Sequence, residues 1–384
     1  MALKPPFPTG DVCMSVFSNP FFSDHEEVVF VHDDSAGLRA IVAIHDTTLG
    51  PALGGLRLWP YASEEEALTD VLRLSRGMTY KAAIAGLNLG GGKSVIMGDP
   101  AIKSEALFRS FGRYIQGLAG RYITAEDVNI NVEDIEFIYQ ETEYAVGIHP
   151  EHGGSGDPSP FTAWGAFQGM RAALEKIFGQ ADWASRSIAI QGVGHVGLHL
   201  ARLLRKEKAR VFVTDIHADR VQRAVEEYGC EAVTGDQIYD LKVDVFAPCA
   251  LGGSINPETL PRLRCKIVAG SANNQLATPE CGTELDRRGI LYTPDYALNA
   301  GGLINVALEI EGYQRELAER RVNAIYDIIK KIFAHAETRG IPTWQAADAI
   351  AEERIAALRP VRSRYIETPP MRRIRQFART SASR

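Results

Sequence analysis

The turn Gly192-Val193-Gly194-His195-Val196-Gly197 constrains this chain more than any other feature. It follows an apolar run at 187–191 that reads as a β-strand, and it opens a helical run, Leu198-His199-Leu200-Ala201. The first two glycines permit a tight turn and close backbone approach to a pyrophosphate. The third lets helix and strand pack together, and the helix amino terminus faces the phosphate charge. In that context GxGxxG points to a dinucleotide-binding βαβ unit; the alternative is a glycine-rich turn with no ligand. His195 and His199 read as packing or exposed helix positions rather than catalysts. The next strand-like run ends at Asp215, eighteen residues past Gly197. A carboxylate there binds a ribose hydroxyl pair and repels a 2′-phosphate, so NAD is expected over NADP, with Arg220 near enough to blur the distinction.

Further strand-like runs at 211–214, 243–246, 266–269 and 290–292 alternate with helical ones, which predicts a parallel sheet. Upstream, 28–31 and 40–44 read as neighbouring strands joined through Asp33, Asp34 and Gly37. Ser63 followed by Glu64, Glu65 and Glu66 is a capping signal. It opens a helix whose Leu68, Val71, Leu72 and Met78 share one face, and which reaches the motif Gly77-Met78-Thr79-Tyr80-Lys81. A second helix begins near Ser104. Glycine and proline crowd Gly153-Gly154-Ser155-Gly156-Asp157-Pro158-Ser159-Pro160, a boundary and hinge signal, after which a helix spans about 161–178. The chain closes in helical sequence from about 303 to 358. At 384 residues two domains are expected in an α/β fold.

Two lysines, Lys81 and Lys93, stand twelve residues apart in a glycine-rich stretch with no carboxylate between them. Desolvation penalises a charged lysine and draws its pKa toward neutrality, as a general base requires. A neighbouring lysine that stays charged suits a substrate carboxylate. The plain alternative is a pair of snorkelling lysines with exposed heads.

Composition narrows the partners. A net charge of −6 with 23% charged residues argues against a nucleic-acid binder. The five cysteines are scattered without CxxC spacing, so neither a metal site nor a disulfide framework is expected. The amino terminus lacks the apolar run of a signal peptide, and no apolar stretch spans a bilayer, so a cytoplasmic protein without membrane contact is expected. Residues 359–384 carry eight arginines and one glutamate; without interleaved aromatics they read as a solvated or subunit-contact arm.

Six motifs then stand in order: Gly50-Pro51-Ala52-Leu53-Gly54-Gly55, Gly77-Met78-Thr79-Tyr80-Lys81, Leu87-Asn88-Leu89-Gly90-Gly91-Gly92-Lys93, Thr124-Ala125-Glu126-Asp127, Ala247-Pro248-Cys249-Ala250-Leu251-Gly252 and Asn299-Ala300-Gly301-Gly302. Over about 28–358 the chain resembles the glutamate/leucine/phenylalanine/valine dehydrogenase family. The resemblance implies a substrate-binding and oligomerisation domain over 1–152, with helices from about 340–384 returning to it. It implies a Rossmann-like NAD-binding domain over 153–339 and a homo-oligomer.

The implied activity is reversible oxidative deamination of a branched-chain L-amino acid, leucine first, to a 2-oxo acid, ammonia and NADH. An aromatic amino acid is the alternative substrate, and a non-catalytic NAD-binding sensor on the same fold is the alternative class. Carried over, Lys81 binds the substrate carboxylate with backbone help near Gly54, and Lys93 is the base that activates water. Asp127 hydrogen-bonds the reacting nitrogen and shuttles protons, Asn299 holds substrate or nicotinamide, and Thr162 faces the nicotinamide amide. Leu53, Met78, Ala125, Leu303 and Val306 wall the substrate side chain. On pattern alone Asp127, Asn299 and Thr162 also fit caps and turns, and Leu53 and Met78 fit core. Leu56, the run Val128-Asn129-Ile130-Asn131, and Leu308 depart from the family pattern near the pocket, so the motifs define the reaction better than the substrate.

Overall fold

The computed structural model describes residues 15–362. The amino-terminal residues 1–14, including Cys13, and 363–384 of the arginine-rich arm lie outside the described residues. The first sheet contains β1 (Glu27–Asp33), β2 (Leu38–Asp46), β3 (Ala52–Trp59), β4 (Gly90–Met97) and β5 (Tyr122–Glu126), in the order β1-β2-β4-β3-β5. β1–β2 and β2–β4 pair antiparallel, whereas β3 pairs parallel with both β4 and β5. Helices α1 (Glu64–Ile84), α2 (Glu105–Gly117) and α3 (Val132–Tyr139) accompany this sheet. The Ser63 hydroxyl caps α1 by accepting from the Glu66 amide, and three glutamates in its first turn complement the helix dipole. Ser104 caps α2 in the same way.

After the glycine-proline boundary, α4 (Ser159–Phe178) leads into the second sheet. Its strands are β6 (Ser187–Gln191), β7 (Arg210–Thr214), β8 (Glu231–Ala232), β9 (Val245–Pro248), β10 (Ile267–Val268) and β11 (Leu291–Tyr292). They lie in the order β11-β10-β9-β6-β7-β8 with every pair parallel. Counting from β6, this is the doubly wound order 3-2-1-4-5-6, so the topological switch falls between β6 and β9. Helices α5 (His195–Lys206), α6 (Ala218–Tyr228) and α7 (Pro279–Arg287) belong to this layer.

The terminal helical sequence divides into α8 (Asp295–Leu298), α9 (Gly301–Glu311), α10 (Arg315–Asn323), α11 (Ile325–Arg339) and α12 (Thr343–Arg362). Gly312 and Gly340, both at positive φ, break what reads as one long helical run. α12 packs on α1 and α11. The Tyr80 hydroxyl donates to Glu352 at 2.7 Å, and Arg354 donates to the Ala83 carbonyl at 2.8 Å. The hinge region is tied down from α9, where one oxygen of buried Glu309 accepts from the Gly147 and Ser155 amides and the Ser155 hydroxyl.

Four strands escape the periodicity reading: β3, β4 and β5 of the first sheet and the two-residue, exposed β8 of the second. The Gly90–Lys93 run is not loop but the start of β4, buried through seven consecutive residues. Gly54 shows why glycine is needed there. A Cβ on it would stand 1.7 Å from the Gly92 carbonyl oxygen, so β3 and β4 approach only because that side chain is missing.

Candidate active site

α1 carries Lys81 in its last turn, β4 carries Lys93, and Asp127 directly follows β5. The strand order places β4 and β5 on either side of β3, and this brings together residues distant in sequence. Lys93 Nζ lies 2.9 Å from Asp127 Oδ2 with the lysine side chain 5% exposed. The absence of a nearby carboxylate in sequence is therefore overturned in space for Lys93, because β5 delivers one. Lys81 is different: it is buried and donates to Asn273 Oδ1 at 2.9 Å, with no ion-pair partner among the described residues.

Burial lowers both lysines. For Lys93, desolvation is opposed by Asp127 and reinforced by repulsion from Arg57. For Lys81, desolvation and Lys93 outweigh the pull of Asp295 and Asp127, bringing it down to about 8. Desolvation would raise Asp127, yet Lys93 and Arg57 overcome it and hold the carboxyl well below the usual range. The site thus contains one pinned carboxylate and two lysines whose protons are loosely held.

Asn273, in the loop after β10, joins Lys81 to the second layer. Its Oδ1 also accepts from Asn299 Nδ2 at 2.7 Å, and Asn299 donates further to the Ser271 carbonyl. Asn299 Oδ1 is buried without a hydrogen-bond partner among the described residues, an orphan acceptor one residue removed from Lys81 through Asn273. A cleft of about 610 Å³ opens here, with Arg57, Asp127, Ala250, Gly252 and Asn273 among its lining residues. Leu53, Ala125, Leu303 and Val306 are buried in one continuous apolar core, with half-buried Met78 packed against it; they lie outside that open cleft. Thr162 donates to the Pro158 carbonyl at 3.1 Å and sits against Gly302.

The glycine turn fits a dinucleotide. Gly192 adopts φ +96°, and a Cβ there would strike Ala250 on the neighbouring loop. Gly194 is not demanded by packing, since a Cβ would meet nothing nearer than Arg220 Nη1 at 3.7 Å; its backbone faces open space where a phosphate would approach. Val193 donates its amide to Asp215 Oδ2 at 2.8 Å, and the His217 amide donates to Oδ1 at 2.9 Å. Each carboxylate oxygen keeps acceptor capacity for ribose hydroxyls. Arg220 Nη1 stands 4.0 Å from Asp215, on the open side of the turn. His195 begins α5, and Val196 and Gly197 continue its first turn.

Sequence reasoning missed Arg57 and Asn273. Arg57 stands in an apolar strand with no carboxylate nearby in sequence, the same signal that singled out the lysines. Asn273 carries no comparable mark.

Glu126 ends β5 and, by strand alternation, projects away from Asp127. Burial, with added repulsion from Asp157, Asp127 and Glu309, pushes it up to about 8 from an ordinary 4.5. Between those values the folded chain keeps a proton that the unfolded chain releases, so stability falls as pH rises through that window. Glu126→Gln is always neutral and lacks this penalty. Its melting temperature should match the wild type near pH 4.5 and exceed it increasingly toward pH 8. A constant gap across that range would show that Glu126 does not hold its proton.

Residues 25–144 match the family model described as Glu/Leu/Phe/Val dehydrogenase, dimerisation domain, and 213–362 match that of Glutamate/Leucine/Phenylalanine/Valine dehydrogenase. The chain is 56% identical over 355 residues to leucine dehydrogenase of Geobacillus stearothermophilus, covering 92% of this chain and 97% of that relative. It belongs to the glutamate/leucine/phenylalanine/valine dehydrogenase family. Valine dehydrogenase of Streptomyces coelicolor is 48% identical, covering 88% of this chain and 95% of its own length. The crystal structure of L-tryptophan dehydrogenase from Nostoc punctiforme superposes with TM-score 0.74 at 46% identity, covering 87% of this chain and 97% of that one. The chain is accordingly an amino-acid dehydrogenase, of a family that carries out reversible oxidative deamination. No helix among the described residues is long and apolar enough to cross a membrane.

Proposed function

We propose that this dehydrogenase oxidises branched-chain L-amino acids, leucine foremost, with NAD as acceptor. The observation that carries the reading is the Lys93–Asp127 pair at 2.9 Å, buried beside Lys81 at a cleft shared with the nucleotide layer. A substrate α-carboxylate takes the place of Asn273 as partner of Lys81, aided by backbone near Gly54. The side chain is directed to Leu53, Met78, Ala125, Leu303 and Val306, which close on the apolar core outside the open cleft when no substrate is bound; all are apolar, so an acidic side chain would enter without a cationic partner. A bound nicotinamide ring supplies the hydride acceptor for the substrate Cα. Gly192 to Gly197 cradle the pyrophosphate, Asp215 the ribose, and Thr162 and Asn299 the nicotinamide end.

Loss of hydride from Cα, once the substrate amino group is in its neutral form, leaves an iminium on the substrate. Neutral Lys93 takes a proton from water as the oxygen attacks that carbon, which forms a carbinolamine. Asp127 hydrogen-bonds the nitrogen while the proton held by Lys93 passes to it; as the C–N bond breaks, the hydroxyl gives its proton to the neutral lysine, so ammonia leaves and the 2-oxo acid remains. This set also weighs against a non-catalytic sensor, which needs neither lysine. The substrate and nucleotide domains divide near 152/153, with the last helices returning to the first. A homo-oligomer is supported by the match of 25–144 to a dimerisation domain. We place the enzyme in the cytoplasm, where its amino-acid and nicotinamide pools meet.

The test is NADH formation by the purified protein with leucine, isoleucine, valine, phenylalanine, tryptophan and glutamate. Leucine should rank first in kcat/KM and glutamate should stay at background. Replacing NAD by NADP should lower efficiency by at least about 10-fold, since Asp215 would face a 2′-phosphate with only Arg220 to relieve it. Efficient glutamate turnover would defeat the apolar pocket, and top rank for an aromatic would move the assignment to the aromatic branch. Equal use of both cofactors would remove Asp215 from the ribose site.

A further inference from the structure

Arg57 reaches Asp127 on the very oxygen that Lys93 uses. Its Nε lies 3.0 Å from Asp127 Oδ2, while its Nη1 lies 2.8 Å from Asp70 Oδ2 on α1. The Tyr61 hydroxyl donates to that same Asp70 oxygen at 2.6 Å. The guanidinium, 19% exposed, is therefore clamped between two carboxylates at the edge of the cleft. Two cations converging on one buried carboxylate oxygen repel each other, and the arrangement is favourable when one of them gives up its charge.

We propose that Arg57 is a positioning residue of the reaction: its fixed charge, together with the Val128 amide, holds Asp127 ionised and in place while Lys93 is neutral, leaving Lys93 free to give and take its proton. This rests on reading Lys93 as the general base. Without Arg57, Lys93 and Asp127 would form an exclusive buried ion pair, which favours the ammonium and removes the base at neutral pH. Arg57 cannot itself lose a proton under these conditions, so it stays a fixed charge throughout the cycle. Its planar fork spans Asp127 and Asp70 at once, which the point charge of a lysine cannot reproduce. The charged groups facing Lys93 are Asp127, Arg57 and, farther off, Asp70 and Lys81. Asp127 and Asp70 favour its ammonium; Arg57 and Lys81 oppose it.

The test is the pH profile of kcat/KM for amino-acid oxidation. In Arg57→Gln the acid limb should move to higher pH by about one unit or more, a tenfold loss on the rising limb, because the proton on Lys93 is no longer repelled. Arg57→Lys keeps the charge and should hold the limb near the wild-type position while kcat drops. Asp70→Asn preserves shape and removes a charge that favours the ammonium, so its limb should lie at or below the wild-type pH. A wild-type limb in Arg57→Gln, or an upward shift in Asp70→Asn, overturns the proposal; mere structural damage lowers amplitude without moving the limb. If Arg57→Gln fails to fold, Arg57→Lys and Asp70→Asn decide it: an upward shift of the limb in either, with the charge of residue 57 intact, overturns the proposal, and a limb at or below the wild-type pH in Asp70→Asn upholds it. Lys93→Arg separates this inference from the reading beneath it. Retained turnover in that variant means that Lys93 is not the base, whereas a dead Lys93→Arg with an unmoved Arg57→Gln limb overturns the role of Arg57 alone.

Discussion

Lys93→Ala should lose about 10²–10⁴ in the chemical step, the span that general-base removal commonly costs. NAD affinity should change little, because Lys93 stands on β4 of the first sheet and the glycine turn follows β6 of the second. The magnitude follows from the surroundings of the amine: it is buried, its pKa is lowered, and it is the lysine in direct contact with Asp127, at 2.9 Å. The variant should keep its fold, since Asp127 retains Arg57 at 3.0 Å and is not left as a lone buried charge. Lys93→Arg sharpens the expectation. A guanidinium preserves the ion pair with Asp127 but cannot deprotonate, so it should be as inactive as alanine. Single-turnover measurements of NADH formation, with NAD binding followed in parallel, check both variants. Turnover within a few-fold of wild type in either would remove Lys93 from proton transfer.

The nucleotide layer was the legible half of this chain. Apart from the exposed two-residue edge strand β8, its strands are short apolar runs separated by helical sequence, and a βα alternation leaves only a parallel sheet as the outcome. The glycine turn marked the ligand end of β6, and the order of strands then put that end at the switch with β9. In the first layer β1 and β2 were visible for a similar reason, being apolar runs bounded by turn residues. β3, β4 and β5 were not. Ala52–Trp59 and Gly90–Met97 are almost wholly buried and rich in glycine, so they show neither alternation nor strand propensity. Their pairing depends on backbone contact such as that of Gly54 with Gly92, which no one-dimensional pattern records.

The same limit governs the site. Lys81 and Lys93 stood out because an ammonium without a carboxylate nearby is unusual in an apolar segment. That Asp127 would meet Lys93 and not Lys81 depends on β4 and β5 flanking β3, a non-local fact. Arg57 carried the lysines' signal in a strand that periodicity did not reveal, and so passed unnoticed. Asn273 has no charge to attract notice, yet it links Lys81 to Asn299 across the two layers.

Lys81→Ala should raise the KM for the 2-oxo acid by on the order of 10²-fold, the equivalent of about 3 kcal/mol for a charge-assisted hydrogen bond, with a smaller change in kcat. The asymmetry with Lys93 follows from position: Lys81 meets the non-reacting carboxylate, which is bound much the same in the ground and transition states. Its pKa of about 8 in the free enzyme adds a pH signature. Below that value Lys81 is an ammonium and attracts the carboxylate. Above it the free enzyme loses the charge, and substrate must restore a proton on binding, so wild-type KM should climb as pH rises through about 8. The alanine variant has nothing to titrate there, and its KM, already high, should stay level. Measuring in the reductive direction at saturating ammonia removes the substrate amino group from the comparison, since a 2-oxo acid does not titrate in that range. Asn273 should buffer the loss only slightly, because its amide offers no charge and its Oδ1 repels a carboxylate. An unchanged KM would take Lys81 out of the carboxylate site; a variant KM that still climbs with the same midpoint would assign the titration to another group, with Lys93 the first candidate.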